Sequence, residues 1–220
     1  MSRIFFRPYR KFPLLGLVGK AGSGKSTAAK HLVETYSAIC LSLATPLKLM
    51  AKAIWEFTDE QLYGSTQIKE AVDSRWNMSP RTALQRLGTD AIRKHLGDDV
   101  WIRALIKTLD ERVDYAQPQL FVVDDVRFRN EANFIGMFDW KDDERIEHNH
   151  KGYLVKLICE DSDSSYRGTH PSESEIDQIP ETAFDRIIVS HKSPGSVHLK
   201  QCIDSFMNGV IVPEWENRRE

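Results

Sequence analysis

Residues 12–26 read FPLLGLVGKAGSGKS, an apolar run that leads into the phosphate-binding pattern G-x-x-x-x-G-K-[ST] between Gly19 and Ser26. In this pattern the glycines let several backbone N–H groups point at one polyphosphate, and the lysine reaches the β- and γ-phosphates. Residues 12–18 have the composition of a buried strand, and residues 26–36 space their apolar side chains as a helix does. The stretch therefore predicts a strand, a phosphate-binding loop and a helix.

The loop also predicts what it binds. Lys25 is expected to contact the β- and γ-phosphates, and the Ser26 hydroxyl is expected to join the ligand shell of Mg²⁺. The residues expected to bind the nucleotide are Gly19, Ala21, Gly22, Ser23, Gly24, Lys25, Ser26 and Thr27. The expected ligand is a nucleoside triphosphate together with magnesium.

Composition predicts one globular catalytic domain over residues 1–220. The chain is 41% hydrophobic and 28% charged, and its net charge of -2 gives no reason to expect nucleic-acid binding. Its cysteines are odd in number and far apart, which favours a reducing cytoplasm over a disulfide framework or a Cys-x-x-Cys metal site. No apolar run approaches the ~20 residues that span a bilayer, so no membrane association is expected. Residues 1–11 are basic and aromatic and are interpreted as an N-terminal extension.

Strand and helix patterns alternate along the rest of the chain. Further strands are predicted at 37–43, 120–123, 153–158 and 184–189, and helices at 46–57, 80–96, 98–113 and 197–207. This alternation predicts a three-layer α/β/α fold with a central parallel sheet of about five strands. The phosphate loop, the acids at 124–125 and a polar segment after Ile158 then meet at the carboxyl edge of the sheet, where such folds bind ligands.

Residues 120–131 read LFVVDDVRFRNE, an apolar strand that ends in two acids and is followed by an arginine. An acid at the tip of such a strand can hold Mg²⁺, and Arg127 can reach a transferring phosphate. The alternative is a surface Asp–Arg pair at the end of a strand, which contributes at most a fraction of a kcal/mol. The spacing alone does not choose between Asp124 and Asp125.

Taken in order, the segments GKAGSGKST, LSLATPLK, SPRTALQRLGTD, VVDDVRFRNE and THPSESE resemble the bacteriophage deoxynucleoside monophosphate kinases, over residues 14–190. The resemblance implies a nucleoside-monophosphate-kinase-like fold that moves the γ-phosphate of ATP to a deoxynucleoside monophosphate, with Mg²⁺ as cofactor. Residues 46–115 would be a helical insertion that binds the monophosphate, and residues 159–183 a loop that closes as a lid. A cytoplasmic enzyme is implied, with a homodimer left open.

The resemblance also implies roles for individual residues, and it favours Asp125 over Asp124 as the acid at the metal. The implied metal-binding residues are Ser26 and Asp125. The implied catalytic residues are Lys25, Arg81, Trp101, Asp125, Arg127 and Glu131. The implied acceptor-binding residues are Lys69, Arg81, Arg127, Arg167 and His170. Thr82 stands where related chains can carry a lysine, which leaves open how many positive charges face the acceptor phosphate.

Two other catalytic functions fit the same patterns, and a module that binds a nucleotide without catalysis is a third alternative. One is a different small-molecule kinase of similar outline, such as a phosphomevalonate kinase. The other is a P-loop NTPase that uses hydrolysis to drive a binding partner. The helical segment between Arg81 and Trp101 favours an acceptor site and therefore a kinase.

Overall fold

The structure is a computed structural model that describes residues 13–114, 119–137, 152–161, 171–191 and 195–213. Three of the positions singled out above lie outside these residues: the extension at 1–11, Arg167 and His170.

The centre of the molecule is one five-stranded parallel sheet, as predicted. Its strands are β1 (Leu14–Val18), β2 (Ile39–Leu41), β3 (Phe121–Val126), β4 (Tyr153–Cys159) and β5 (Arg186–Ser190). Their order across the sheet is β2-β3-β1-β4-β5. Leu15 of β1 pairs with Val122 on one side and with Tyr153 on the other. Strand β1 is therefore central, and all of its residues are buried.

Helices cover both faces of the sheet. Alternate strand residues point to opposite faces, so Leu14 and Phe121 enter one apolar core while Leu15 and Val122 enter another. The first core is completed by α7 (Val100–Arg112) and α8 (Arg129–Gly136). The second is completed by α1 (Lys25–Tyr36) and α10 (Gly195–Phe206). This arrangement confirms the predicted three-layer α/β/α fold.

Helix α1 is anchored to α10 at the end away from the phosphate loop. Nε2 of His31 lies 2.7 Å from Oδ1 of Asp204, and the Tyr36 hydroxyl donates to the same oxygen at 2.9 Å. Burial, together with the bond to Asp204, raises the pKa of Tyr36 to about 12. The phenol therefore stays protonated as a donor at neutral pH.

The segment between β2 and β3 is largely helical and has a small apolar core of its own. Its helices before α7 are α2 (Thr45–Trp55), α3 (Asp59–Tyr63), α4 (Thr66–Glu70), α5 (Pro80–Gln85), the π-helical segment Arg86–Arg93 and α6 (Lys94–Leu96). We call Ala51, Phe57, Leu62 and Ala83 the third core, because they pack together apart from the two cores of the sheet. Helices α3 and α4 were not predicted from the sequence, and their short turns begin at the side-chain caps of Thr58 and Ser65.

The helix predicted at 80–96 is not one regular α-helix, since its middle is π-helical. Gly88 explains how this segment approaches α2: a Cβ there would lie 2.6 Å from Cδ2 of Leu47. The indole Nε1 of Trp101 donates to the Gly88 carbonyl at 3.3 Å. Gly97 ends the helical run at a φ of 131°, as the sequence predicted.

Helices also occur in two segments for which none was predicted, the stretch after β3 and the predicted loop at 159–183. Helix α8 follows β3 directly, and within residues 159–183 the structure has α9 (Pro171–Ser174) and two 3₁₀ turns, Glu175–Gln178 and Glu181–Ala183. The polar composition concealed Ile176 and Ile179, which are buried against the core that includes α7. Across the described ranges, no helix combines the length and the apolar character that crossing a membrane requires.

Candidate active site

The phosphate loop joins the end of β1 to the start of α1 at the carboxyl edge of the sheet. Gly22 and Gly24 have φ angles of 79° and 93°, in the left-handed region that favours glycine. Nζ of Lys25 donates to the carbonyl oxygens of Gly19 and Lys20. The buried Ser23 hydroxyl has no hydrogen-bond partner among the described residues. Backbone amides, a hydroxyl and an ammonium group thus converge at the positive end of a helix, which suits a polyphosphate.

The two acids at the end of β3 have different contacts. The carboxylate of Asp125 accepts hydrogen bonds from the Ser42 hydroxyl at 2.6 Å, from the Leu43 amide at 2.8 Å and from the Ala44 amide at 2.9 Å. These contacts fix the chain between β2 and α2. Oδ1 of Asp124, in contrast, is buried and accepts no hydrogen bond within the described part of the chain.

The carboxyl group of Asp124 is also harder to ionise than an ordinary aspartate. Burial, and next the charge of Asp125, raise the pKa of Asp124 to about 6, against the opposing charges of Lys48 and Lys25. Burial and the same two acids raise the pKa of the Cys40 thiol to about 12. A cation near Asp124 would relieve this excess of negative charge. Within the described ranges, no three acidic, histidine or cysteine side chains cluster as candidate metal ligands.

A cavity of about 200 Å³ opens between α2, the α5–π segment and the β3–α8 connection. Its basic side chains are Lys48, Lys69, Arg81, Arg93 and Arg127. Its acidic side chains are Asp125 and Glu131. The remaining wall is formed by Leu43, Ala44, Leu47, Leu62, Leu84, Gln85, Gly88, Thr89, Trp101 and Phe128. The structure thus brings together Lys69, Arg81, Trp101, Asp125, Arg127 and Glu131, which the sequence had singled out separately.

Four basic side chains in this cavity act on one another. Burial lowers the pKa of Lys69, and the charges of Lys48, Arg81 and Arg127 lower it further. Burial also lowers the pKa of Lys48, against the charges of Asp125 and Asp124. Nε of Arg81 lies 3.3 Å from a carboxylate oxygen of Glu70. An anion such as a phosphate would relieve the repulsion among Lys48, Lys69, Arg81 and Arg127, which we call the cation cluster.

Lys48 was not predicted from the sequence as a site residue, although it supplies positive charge that Thr82 does not. The Thr82 hydroxyl lies 3.0 Å from the Ser79 hydroxyl, at the capped start of α5. Lys48 lies near the start of α2, four residues after Ala44, whose amide donates to Asp125. A proline-started helix directly after β2 was visible in the sequence, but the face that Lys48 occupies depends on how α2 packs.

Glu131 is buried and saturated with donors. It pairs with Arg93, and its Oε2 accepts hydrogen bonds from the amides of Arg127 at 2.8 Å and Phe128 at 3.1 Å. Arg93 also lies over the Phe128 ring, 3.7 Å from its centre. Burial raises the pKa of Glu131, and the charge of Arg93 opposes that rise. These contacts give Glu131 the means to hold the backbone of Arg127 in place.

Trp101, on α7, lines the cavity, and only 7% of its surface is exposed to solvent. Its indole N–H donates a hydrogen bond to the Gly88 carbonyl and is therefore not available to a ligand in this arrangement. The implied catalytic roles of Trp101 and Glu131 therefore stay predictions, and the contacts of both residues indicate positioning of the cavity wall.

Comparison with known proteins adds sequence relatives. No protein-family model matches the chain. A protein of Acanthamoeba polyphaga mimivirus with the provisional name deoxynucleotide monophosphate kinase is 34% identical over 207 residues, which cover 87% of this chain and 96% of that protein. The deoxynucleoside-5'-monophosphate kinase of Escherichia phage T5 is 23% identical, covering 74% of this chain and 84% of that enzyme.

Among solved structures, a thymidylate kinase from Candida albicans aligns with a TM-score of 0.44 at 15% identity, over 90% of this chain and 92% of that one. By its 34% identity over nearly the full length of the mimivirus protein, the chain belongs to the deoxynucleoside monophosphate kinase family.

Proposed function

We propose that the protein transfers the γ-phosphate of ATP to a deoxynucleoside monophosphate and releases ADP and the deoxynucleoside diphosphate. The observation that carries this proposal is the cation cluster, which lies in a cavity beside the acids at the end of β3. Phosphoryl transfer requires alignment and charge neutralisation more than covalent chemistry. The phosphate loop and the cationic cavity would provide both, since the charges of Lys25 on the loop and Lys48 in the cavity both act on Asp124.

The donor side is assigned to the phosphate loop. Lys25 and the amides of residues 19–26 would bind the β- and γ-phosphates of ATP. Lys25 would leave the carbonyl oxygens of Gly19 and Lys20 to do so. Removing this ammonium would leave charge uncompensated on the phosphates as the reaction proceeds.

The residues present fit Mg²⁺, and the orphaned buried oxygen of Asp124 supports this. We assign Asp124 and Ser26 as the side chains that would hold the ion, in place of the pair Asp125 and Ser26 favoured by the resemblance. The oxygens of Asp125 already accept three hydrogen bonds from residues 42–44. When bound, Mg²⁺ neutralises negative charge on the donor phosphates.

The acceptor side is assigned to the cation cluster. Arg81 offers a planar fork that matches a phosphate, and Lys69 and Lys48 add point charges. Arg127 follows the acids of β3 and can therefore stabilise the phosphate in transfer. The acceptor phosphate is largely ionised near neutral pH, so no general base is needed. Arg167 and His170 remain acceptor-binding proposals that rest on the resemblance.

We further infer a cytoplasmic location, because none of Cys40, Cys159 and Cys202 takes part in a disulfide. The proposed binding partners are the two nucleotides, and a homodimer remains a proposal that sedimentation analysis would test.

The test is ADP formation with ATP and Mg²⁺ in the presence of dAMP, dGMP, dCMP, dTMP, phosphomevalonate or no acceptor. We expect ADP only with the deoxynucleotides, and a loss of about 10²–10³ in kcat for Lys25→Ala at an unchanged circular dichroism spectrum. ADP formation that ignores the acceptor would instead establish a hydrolytic NTPase. Turnover with phosphomevalonate alone would establish the other kinase.

A further inference from the structure

We infer that Gln85 reads the polar edge of the acceptor's base and so sets which deoxynucleotides are accepted. This inference rests on the proposed function. It concerns the end of the cavity that the cation cluster does not occupy.

The cavity-facing side of α5 passes from the charged Arg81 to the uncharged Gln85. The far end of the π segment adds Arg93, whose charge is paired with that of Glu131. Arg81, Leu84, Gln85 and Gly88 all line the cavity, at the spacing of one helix face. Gln85 lies one turn beyond Arg81, about 6 Å further along the helix axis. A monophosphate gripped at Arg81 would therefore extend its sugar and base toward Gln85.

The wall around this end is apolar. Leu62, Leu84 and Trp101 line the cavity, and the only uncharged polar side chains among its described lining residues are Gln85 and Thr89. Apolar and aromatic surfaces accept the faces of a base, but the polar edge of the base needs a hydrogen-bond partner when it is removed from water. Gln85 is half-buried, and its amide makes no hydrogen bond within the described ranges.

The chemistry of the amide determines the expected preference. A glutamine side chain offers one donor group and one acceptor, and rotating the amide exchanges their positions. Each of the four bases presents a donor beside an acceptor on its pairing edge, so Gln85 can match more than one of them. A carboxylate in the same place only accepts hydrogen bonds. It would suit guanine, which presents two adjacent N–H donors, and would oppose the ring acceptor of adenine.

The decisive variant is therefore Gln85→Glu. We expect the ratio of kcat/KM for dGMP to kcat/KM for dAMP to rise about tenfold or more, with the KM for ATP unchanged. Gln67→Glu is the matched control, because the Gln67 side chain on α4 is exposed and does not line the cavity, and the change should leave the ratio within about twofold. Isothermal titration of the monophosphates without ATP should show the same change of preference in Kd.

A second variant covers the case in which Gln85→Glu fails to fold. Gln85→Met keeps the length of the side chain but removes both hydrogen-bonding groups, so we expect kcat/KM to fall about tenfold for all four deoxynucleotides. Wild-type protein that phosphorylates none of them would overturn the proposed function. Wild-type activity combined with unchanged base preference in Gln85→Glu, or with unchanged kcat/KM in Gln85→Met, would overturn the role of Gln85 alone.

Discussion

At the scale of single residues, Asp124 and Asp125 are adjacent in β3 but have different environments. Successive side chains of a strand point to opposite faces. Asp125 therefore turns toward the start of α2 and holds its backbone, while Asp124 keeps an oxygen without a protein partner. Charge without a partner is costly inside a protein unless a ligand compensates it.

Exchanging each acid for its amide should separate their roles. Asp124→Asn should raise the Mg²⁺ concentration needed for half-maximal activity and leave the thermal midpoint of the ligand-free protein nearly unchanged. Asp125→Asn should lower the free energy of unfolding by about 1.5–3 kcal/mol, because its amide cannot replace all the carboxylate contacts. Magnesium titrations and thermal melts of both variants measure this. The reverse pattern would restore Asp125 as the acid at the metal.

Lys69 gives the cation cluster a pH dependence. Its lowered pKa in the free protein means that it loses its charge at a lower pH than an ordinary lysine does, whereas a bound phosphate favours the charged form. Affinity for dAMP should therefore fall as pH rises from about 7 toward about 10, a range above the second ionisation of the phosphate.

Calorimetric Kd values across that range test the prediction. Lys69→Arg keeps its charge at every pH in the range and should give a shallower fall. Lys94→Arg, on an exposed side chain, is the control and should follow the wild type. Identical curves for wild type and Lys69→Arg would rule out Lys69 as the source.

At the scale of elements, the π-helical segment Arg86–Arg93 shapes the cavity wall. It brings Gly88, Thr89 and Arg93 to the lining surface, next to Gln85 at the end of α5. Turns of π-helix occur frequently at functional sites. Its position depends on close contact with Leu47 of α2 and on the hydrogen bond from Trp101.

Gly88→Ala should disturb this contact. The new methyl group would meet the Leu47 side chain at 2.6 Å, so we expect about 1–3 kcal/mol of destabilisation and a raised KM for the monophosphate. Gly209→Ala is a matched control in the second π segment, Met207–Ile211, where an added Cβ meets nothing within 4 Å. Urea denaturation and acceptor kinetics of the two variants should differ. Equal effects would mean that close packing at Gly88 does not matter.

The Arg93–Glu131 pair joins the π segment to α8. Arg93→Met would leave Glu131 charged and buried without its partner, and we expect a loss of about 3–5 kcal/mol in unfolding free energy. Lys94→Met removes the adjacent, exposed partner of Asp90 and should cost less than about 1 kcal/mol. Chemical denaturation compares them, and a similar small loss for both would show that the buried pair contributes little.

At the scale of the whole molecule, sequence patterns predicted what depends on local spacing. The apolar run before Gly19, the glycines of the loop and the continuous strand after Leu120 predicted the sheet and its phosphate site. Long-range packing decided the rest. Lys48 faces the cavity only because of how α2 packs, and the environment of Asp125 depends on residues 42–44, which follow a different strand.

The third core predicts uneven stability. Ala51, Phe57, Leu62 and Ala83 form a small cluster, whereas the sheet is clamped between two much larger ones. Native-state hydrogen exchange should therefore show opening of α2–α5 at a lower free energy than opening of β1, β3 and β4. Adding dAMP should slow exchange in α2–α5 selectively. Uniform exchange free energies across the chain would contradict a separate unit.

The separation of the third core from the two cores of the sheet has a consequence for the evolution of substrate range. Leu62 of this third core also lines the cavity, so substitutions that repack it against Phe57 or Ala83 would reshape the proposed acceptor site while the sheet and its phosphate loop keep their own support. A few neighbouring substitutions in the third core would thus change which acceptor is bound, without any change in the phosphate loop. Natural variation in substrate range should accordingly concentrate between residues 45 and 96.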